Sequence, residues 1–451
     1  MIKPSNVWIL SFGFGIYEVG VGVFRIPNLG SITNHIVWYF ARTILYTPTF
    51  YPPVMDFGKK RMLTSIGIYH TCNDGALSTL PAMYPILKEE LNLVYTDIGF
   101  IISAGLLMTL IFQLIIGKIS DKHNPKYLLA SGLSIITFAL FIMILVTSFV
   151  ELLFVILIIR LGASFYHPIG ISWISKNFKG KDLDHSMGIQ SSYGDTGVFL
   201  GFMTTSFVAA QFGWQYPFIL WGSLTLLSVI FGLIYVKDEQ MKLVLKKDTA
   251  PFNLDTIKKI LTRIKFYFLP FAMSGASYTI GISYGPLLLT DKIHLSETTV
   301  GLIIGSWIGI GIFTAYAFSR ISHALGGRYN TLIISFSTIS LMGLVIGWFT
   351  NLYVLIAAFL MFGAVLFIVY PALFTITTTI TVKSRRGVIF GMLFAAHLSG
   401  GVITGYLCGW LADRFGISIP FYILSILAFL TVIWLVVTIK MTNKLNNNSN
   451  I

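Results

Sequence analysis

Beyond residue 54, only three charged side chains fall inside the long apolar runs of this chain: Asp74, Arg160 and Asp195. His70, His167 and His397 add titratable groups to the same runs. An ionised group is costly in a hydrocarbon layer, so such residues point to function by default. His70 and Asp74 are four apart and share a helical face, with Asn73 beside them; Arg160 and His167, seven apart, share another. Counted along their runs at 1.5 Å per residue, Asp74 and Arg160 differ by only ~3 Å in depth. The spacing therefore predicts an Asp74–Arg160 pair near mid-membrane with a His70–His167 layer below it, and Asp195 close to the histidines. A carboxylate that loses a guanidinium partner binds a proton more readily. Asp74 is thus expected to change protonation while Arg160 alternates between it and an anionic substrate. The plainer alternative is a static ion pair fixing helix packing beside satisfied core histidines. His70, His167 and Asp195 are the only conceivable metal-ligand trio. Nothing has the density of a nucleophile–base set or a metal cluster, so neither an enzyme nor a bound metal is expected.

The elements that carry these residues follow from composition. Hydrophobic residues make up 55% of 451 and charged residues 11%, with mean hydropathy +0.80. A soluble domain carries about a quarter charged residues, so the chain reads as an all-α integral membrane protein whose partner is the lipid bilayer. The net charge of +13 does not imply a nucleic-acid partner, because the basic residues lie in short loops between apolar runs. Cys72 and Cys408 both fall inside runs and imply no disulfide framework. Residues 1–54, with Glu18, Arg42 and Pro52-Pro53, read as an N-terminal extension: an extra hydrophobic segment or a mis-assigned start.

From residue 63 twelve spans follow, at 63–85, 98–116, 127–146, 151–175, 187–210 and 214–235, then 266–289, 297–319, 329–350, 352–380, 387–412 and 417–438, each long enough to cross a bilayer. The expected domains are a six-helix bundle over 55–236, a basic cytoplasmic linker over 237–265, a second bundle over 266–439 and a polar tail over 440–451. Outside the spans, every Lys and Arg of this core except Lys88, Lys292 and Arg414 falls in alternate loops. That asymmetry places both ends of the core in the cytoplasm and the chain in the cell membrane. An internal repeat supports two halves: at a constant offset of 203, Gly197 matches Gly400, Ala209 matches Ala412, Phe212-Gly213 matches Phe415-Gly416 and Pro217-Phe218 matches Pro420-Phe421.

Two stretches carry a resemblance. At 117–126 the chain reads Gly-Lys-Ile-Ser-Asp-Lys-His-Asn-Pro-Lys, which resembles the loop between helices 2 and 3 of the major facilitator superfamily, roughly G-x-L-x-D-R-x-G-R-R. Gly117, Ile119, Asp121, Lys122 and Lys126 fit; Asn124 replaces the second glycine, where a left-handed turn is expected, and Pro125 replaces a basic residue. The second-half counterpart keeps Gly326 and Arg328 but has His323 in place of the acid. At 162–170 the run Gly-Ala-Ser-Phe-Tyr-His-Pro-Ile-Gly resembles the fosmidomycin-resistance, drug-efflux branch, as do His70, Asp74 and the Leu80-Pro81 turn, Tyr370-Pro371 and the stretch from Gly409 to Gly416. The resemblance implies two pseudo-symmetric six-helix bundles, a conformational gate at Gly117, Asp121, Lys122 and Lys126, and a central cavity lined partly by spans 7 and 10. Tyr278, Tyr284, Tyr370 and His397 become substrate-binding candidates there, opposite Arg160 and Asn73. Gly194, Gly197 and Gly201 read as helix packing, and Pro168 as a break in span 4.

The function expected is a proton-coupled antiporter exporting small amphipathic organic compounds. It needs no cofactor beyond a proton gradient, works as a monomer, and uses His70, Asp74, His167 and Asp195 for coupling. The nearest alternative is a symporter taking up an organic acid or sugar with the same residues.

Overall fold

The computed structural model describes residues 57–120, 123–236, 254–380 and 386–448, and every regular element among them is helical. In chain order these are α1 (Phe57–Glu90), α2 (Tyr95–Ser120), α3 (Pro125–Ile142, extended by a short 3-10 turn), α4 (Phe149–Ala163), α5 (Tyr166–Asn177), α6 (Gly180–Phe212), α7 (Tyr216–Tyr235), α8 (Leu254–Thr279), α9 (Gly285–Asp291), α10 (Glu297–Tyr316), α11 (Phe318–Ala324), α12 (Arg328–Trp348), α13 (Leu352–Ile380), α14 (Arg386–Phe415) and α15 (Ile419–Asn448). Taking α4 with α5, α8 with α9 and α10 with α11, they form twelve antiparallel crossing segments. The extension at 1–54, Asp121, Lys122 and most of the linker lie outside the described residues.

Two of the three breaks lie next to a proline. Pro168 opposes the carbonyl four residues back, at Ser164, and α4 ends at Ala163 there. Pro286 lies just beyond the π turn at Ile280–Tyr284 that joins α8 to α9. Leu80-Pro81, expected as a turn, is not one: Pro81 and Pro85 both lie within the continuous helix α1. Asn124 is also not left-handed. Its φ of −66° is extended backbone, and its side chain caps α3 by accepting from the Lys126 N–H at 2.9 Å, with Pro125 in the first turn. A cap residue followed by proline opens a helix without a positive φ.

The repeat is visible in three dimensions. Gly213 (φ +108°) and Gly416 (φ +94°) both end a helix in a conformation that suits glycine. Their N–H groups reach the matched carbonyls of Ala209 and Ala412. A Cβ on Gly197 would lie 2.3 Å from the Thr71 carbonyl of α1, and one on Gly400 1.8 Å from the Ala272 carbonyl of α8. Each half thus uses the same glycine to bring its first and fifth crossing segments into backbone contact.

The halves meet along α2–α14 and α6–α10. Ser103 donates to the Val402 carbonyl at 2.6 Å. Gly301 and Gly305 of α10 sit against Ser206 and Met203 of α6. At one end of the bundle Asp413, in the last turn of α14, accepts from the N–H groups of Tyr95 (2.9 Å) and Thr96 (2.7 Å) and from the Thr96 hydroxyl. Tyr95 donates to Asp291 at 2.6 Å, and Lys88 pairs with Asp291 at 3.1 Å. Polar contacts therefore tie the halves together at the Asp413 end.

Candidate functional site

Among the described residues, nine segments are long and apolar enough to cross a membrane on composition alone. The other three are α1, α6 and the α8–α9 segment, and they carry the candidate site: His70, Asn73 and Asp74 on α1, Asp195 on α6, Tyr278 on α8.

His70 is the centre. Its Nε2 lies 3.0 Å from Asp74 Oδ2, one turn away on the same helix face. Asn73 donates to the other Asp74 oxygen at 2.7 Å. The opposite ring nitrogen, Nδ1, is held by Gln190 of α6, whose backbone oxygen lies at 2.7 Å and whose side-chain nitrogen lies at 2.8 Å. Tyr166 stacks on the imidazole at 4.1 Å between ring centroids and donates to the Ile66 carbonyl. His167 meets the same ring edge-on at 5.4 Å. Gly194 is required here, because a Cβ on it would lie 2.4 Å from the ring. Asp195 is within electrostatic reach of His70 and Asp74. Among the described residues the side-chain donor atoms of His70, Asp74 and His167 all lie within 4.8 Å of one another, so Asp74, and not Asp195 as expected, completes a trio with the two histidines. At 3.0 Å, His70 Nε2 and Asp74 Oδ2 form an ion pair whenever the imidazole is protonated.

The expected Asp74–Arg160 pair does not form. The ion pairs among the described residues that involve Asp74 or Arg160 come down to one, His70–Asp74. Side chains on a helix lean toward its N-terminus. Helix α1 and the α4–α5 segment are antiparallel, so Asp74 leans back onto His70 while Arg160 leans toward the Asp413 end. There Arg160 packs along Gly105 of α2 and lies beside the Tyr84 hydroxyl, with its buried Nε unpartnered. Two layers at matched backbone depth become one carboxylate–histidine cluster and one separate guanidinium.

The second half faces the cluster with aromatic rings. Phe394 lies 5.6 Å from His167 and stacks on His397 at 5.5 Å. Tyr370 lies 5.4 Å from His397, whose Nδ1 is 3.1 Å from the Ser274 hydroxyl. Tyr278 packs near Trp307 and Phe367 and is within electrostatic reach of Asp74, Asp195 and Arg160. Tyr284 stands apart: it is fully buried and its hydroxyl is spent on the Gly405 carbonyl of α14. Of the gate motif, Lys126 is buried with its ammonium on the Val236 carbonyl at 2.7 Å. Gly117 makes ordinary contact with Pro168.

Twelve antiparallel segments in two repeated halves agree with what a family model finds in the sequence. The Major Facilitator Superfamily model matches residues 66–392 and 289–450. The chain belongs to this superfamily. It is 22% identical over 386 residues to the fosmidomycin resistance protein of Escherichia coli, covering 82% of this chain and 90% of that one. It is 27% identical over 175 residues to the MFS-type transporter YfnC of Bacillus subtilis, covering 39% of this chain and 42% of that protein. A point mutant of the nucleoside transporter NupG superposes with a TM-score of 0.70 at 15% identity, over 83% of this chain and 98% of that one. A bacterial homologue of the lysosomal transporter Spinster, inward-facing and unoccupied, superposes at 0.65 with 13% identity, over 85% and 96%. These superpositions establish the fold.

Sequence reasoning missed Gln190, Tyr84, Phe394 and the stacked role of Tyr166. Only Gln190 left a trace: a lone amide one helical turn before Gly194, on a helix already marked by Asp195.

Proposed function

We propose that this superfamily member is a secondary antiporter that exports a small amphipathic organic compound in exchange for protons. The observation that carries the reading is the buried His70–Asp74 pair, with His167 and Asp195 beside it, facing an aromatic wall from the other half. A charge pair inside a membrane bundle is costly. One whose imidazole can take or release a proton beside a fixed carboxylate gives a route to coupling. Arg160, free of Asp74, suits the anionic end of a substrate. Tyr278, Tyr370 and the rings around them suit its apolar body. The fosmidomycin resistance protein of E. coli and the efflux pump PmrA of Streptococcus pneumoniae, 22% identical to this chain, have names that favour export over uptake.

In this reading the ties between Asp413, Tyr95, Thr96 and Asp291 close the outer end, the basic loops face the cytoplasm, and the halves rock about the cluster. The protein works as a monomer in the cell membrane, is a transporter rather than an enzyme, and needs a proton gradient but no cofactor. The test is proton movement in sealed proteoliposomes with a pH dye inside and a panel of organic anions and amphipathic drugs outside. A lumenal pH change with one compound, dependent on the protein, supports the reading. Compound flux with no proton movement overturns the coupling.

A further inference from the structure

We infer that Gln190 is the positioning residue that allows His70 to gain and lose a proton, by offering one ring nitrogen both an acceptor and a donor. The inference rests on the reading of the His70–Asp74 pair as the proton site, and it locates the proton that moves.

His70 Nδ1 lies 2.7 Å from the Gln190 backbone oxygen and 2.8 Å from the Gln190 side-chain nitrogen. The carbonyl can only accept and the amide nitrogen can only donate, while Nδ1 carries either a hydrogen or a lone pair. In the imidazolium, Nδ1–H donates to the Gln190 carbonyl and Nε2–H faces Asp74 Oδ2 at 3.0 Å. In the neutral Nε2–H tautomer, the Nδ1 lone pair accepts from the Gln190 amide and the Asp74 contact is kept. Nδ1 thus has a partner of the right polarity in each state, the carbonyl when it carries a hydrogen and the amide when it carries a lone pair. The departing proton is therefore the one on Nδ1, and Asp74 remains ionised as the anchor.

Without the amide, neither neutral form is matched. An Nε2–H tautomer sets its Nδ1 lone pair against a carbonyl oxygen, and an Nδ1–H tautomer sets its Nε2 lone pair against a carboxylate. The ring cannot turn away. Tyr166 stacks on one face, and Gly194 leaves no room beyond the ring. The charged and titratable groups facing it are Asp74 from α1, His167 and Tyr166 from α5, and Asp195 from α6. Tyr278 and His397 approach from the second half, and none of these supplies a donor to Nδ1.

The sign follows directly. Removing the amide penalises only neutral His70, so the residue holds its proton to higher pH. Gln190→Leu should move the half-point of proton-coupled flux against pH upward by about one unit, the equivalent of one unsatisfied buried group. Gln190→Glu, equal in length and able only to accept when ionised, should move it the same way and guards against a folding defect in the leucine variant. Ring nitrogen-15 shifts of histidine-labelled protein read the state itself. The expected result is that neutral His70 is the Nε2–H tautomer in the parent protein, and that both variants extend the imidazolium to higher pH. A neutral Nδ1–H tautomer in the parent, or an unshifted titration in both variants, overturns the inference. If the nitrogen shifts behave as stated while flux ignores them, the hydrogen-bond arrangement stands and the transport reading fails.

Discussion

Asp413→Ala isolates the ties that hold one end of the bundle shut. Asp413 belongs to the second half, whereas the two N–H groups and the hydroxyl it binds belong to Tyr95 and Thr96 at the start of α2 in the first. The contact exists only while the halves are closed there, so its loss falls wholly on the closed state. The three bonds are exposed, and water will replace them in part. Removing a capping carboxylate then costs about 1–2 kcal/mol, enough to shift the closed-to-open ratio about 5–30-fold. Spin labels at Leu145 and Tyr353, 70% and 81% exposed, would report the distance across this end, with the buried Cys72 and Cys408 left in place. The expected result is a longer-distance population in Asp413→Ala that is minor in the parent. An unchanged distribution would refute the idea that this cap biases the halves.

Three further outcomes are expected. Gly197→Ala and Gly400→Ala each drive a methyl into a backbone carbonyl. Each should cost about 1–3 kcal/mol of overpacking, read as a lower midpoint of thermal aggregation, and equal tolerance at both would argue against the shared packing role. Arg160→Gln should weaken transport of anionic compounds at least about tenfold in half-saturation while sparing neutral ones; equal loss for both would reduce Arg160 to a packing residue. Tyr95→Phe, which removes the bond to Asp291, should favour the open state in the same direction as Asp413→Ala but more weakly, by about 1 kcal/mol. No change in the same spin-label distance would restrict the tie to Asp413.

Elements and repeat were legible because they follow from backbone rules that act locally. Twelve apolar runs have the length of a bilayer, glycines recur at 213 and 416 where a helix must end left-handed, and Pro168 lies four residues after the break it causes. The partner of Asp74 was not legible, since depth counted along a backbone ignores that side chains on antiparallel helices lean in opposite directions. Asn124 was read as a left-handed glycine substitute, yet a capping side chain followed by proline solves the same turn with ordinary dihedrals. Tyr284 was expected to line a cavity, but it closes the π turn at Ile280–Tyr284 and its hydroxyl reaches Gly405, a tertiary outcome no spacing rule foretells.

The most direct test of the central claim separates coupling from binding in Asp74→Asn. Replacing the carboxylate leaves the imidazolium of His70 without its counter-charge, while Arg160 and the aromatic wall are untouched. Uphill efflux of a substrate driven by an imposed pH gradient should be abolished, while exchange of labelled for unlabelled substrate at equal pH on both sides should persist. Retained uphill efflux in Asp74→Asn would contradict the assignment of the proton site to the His70–Asp74 pair.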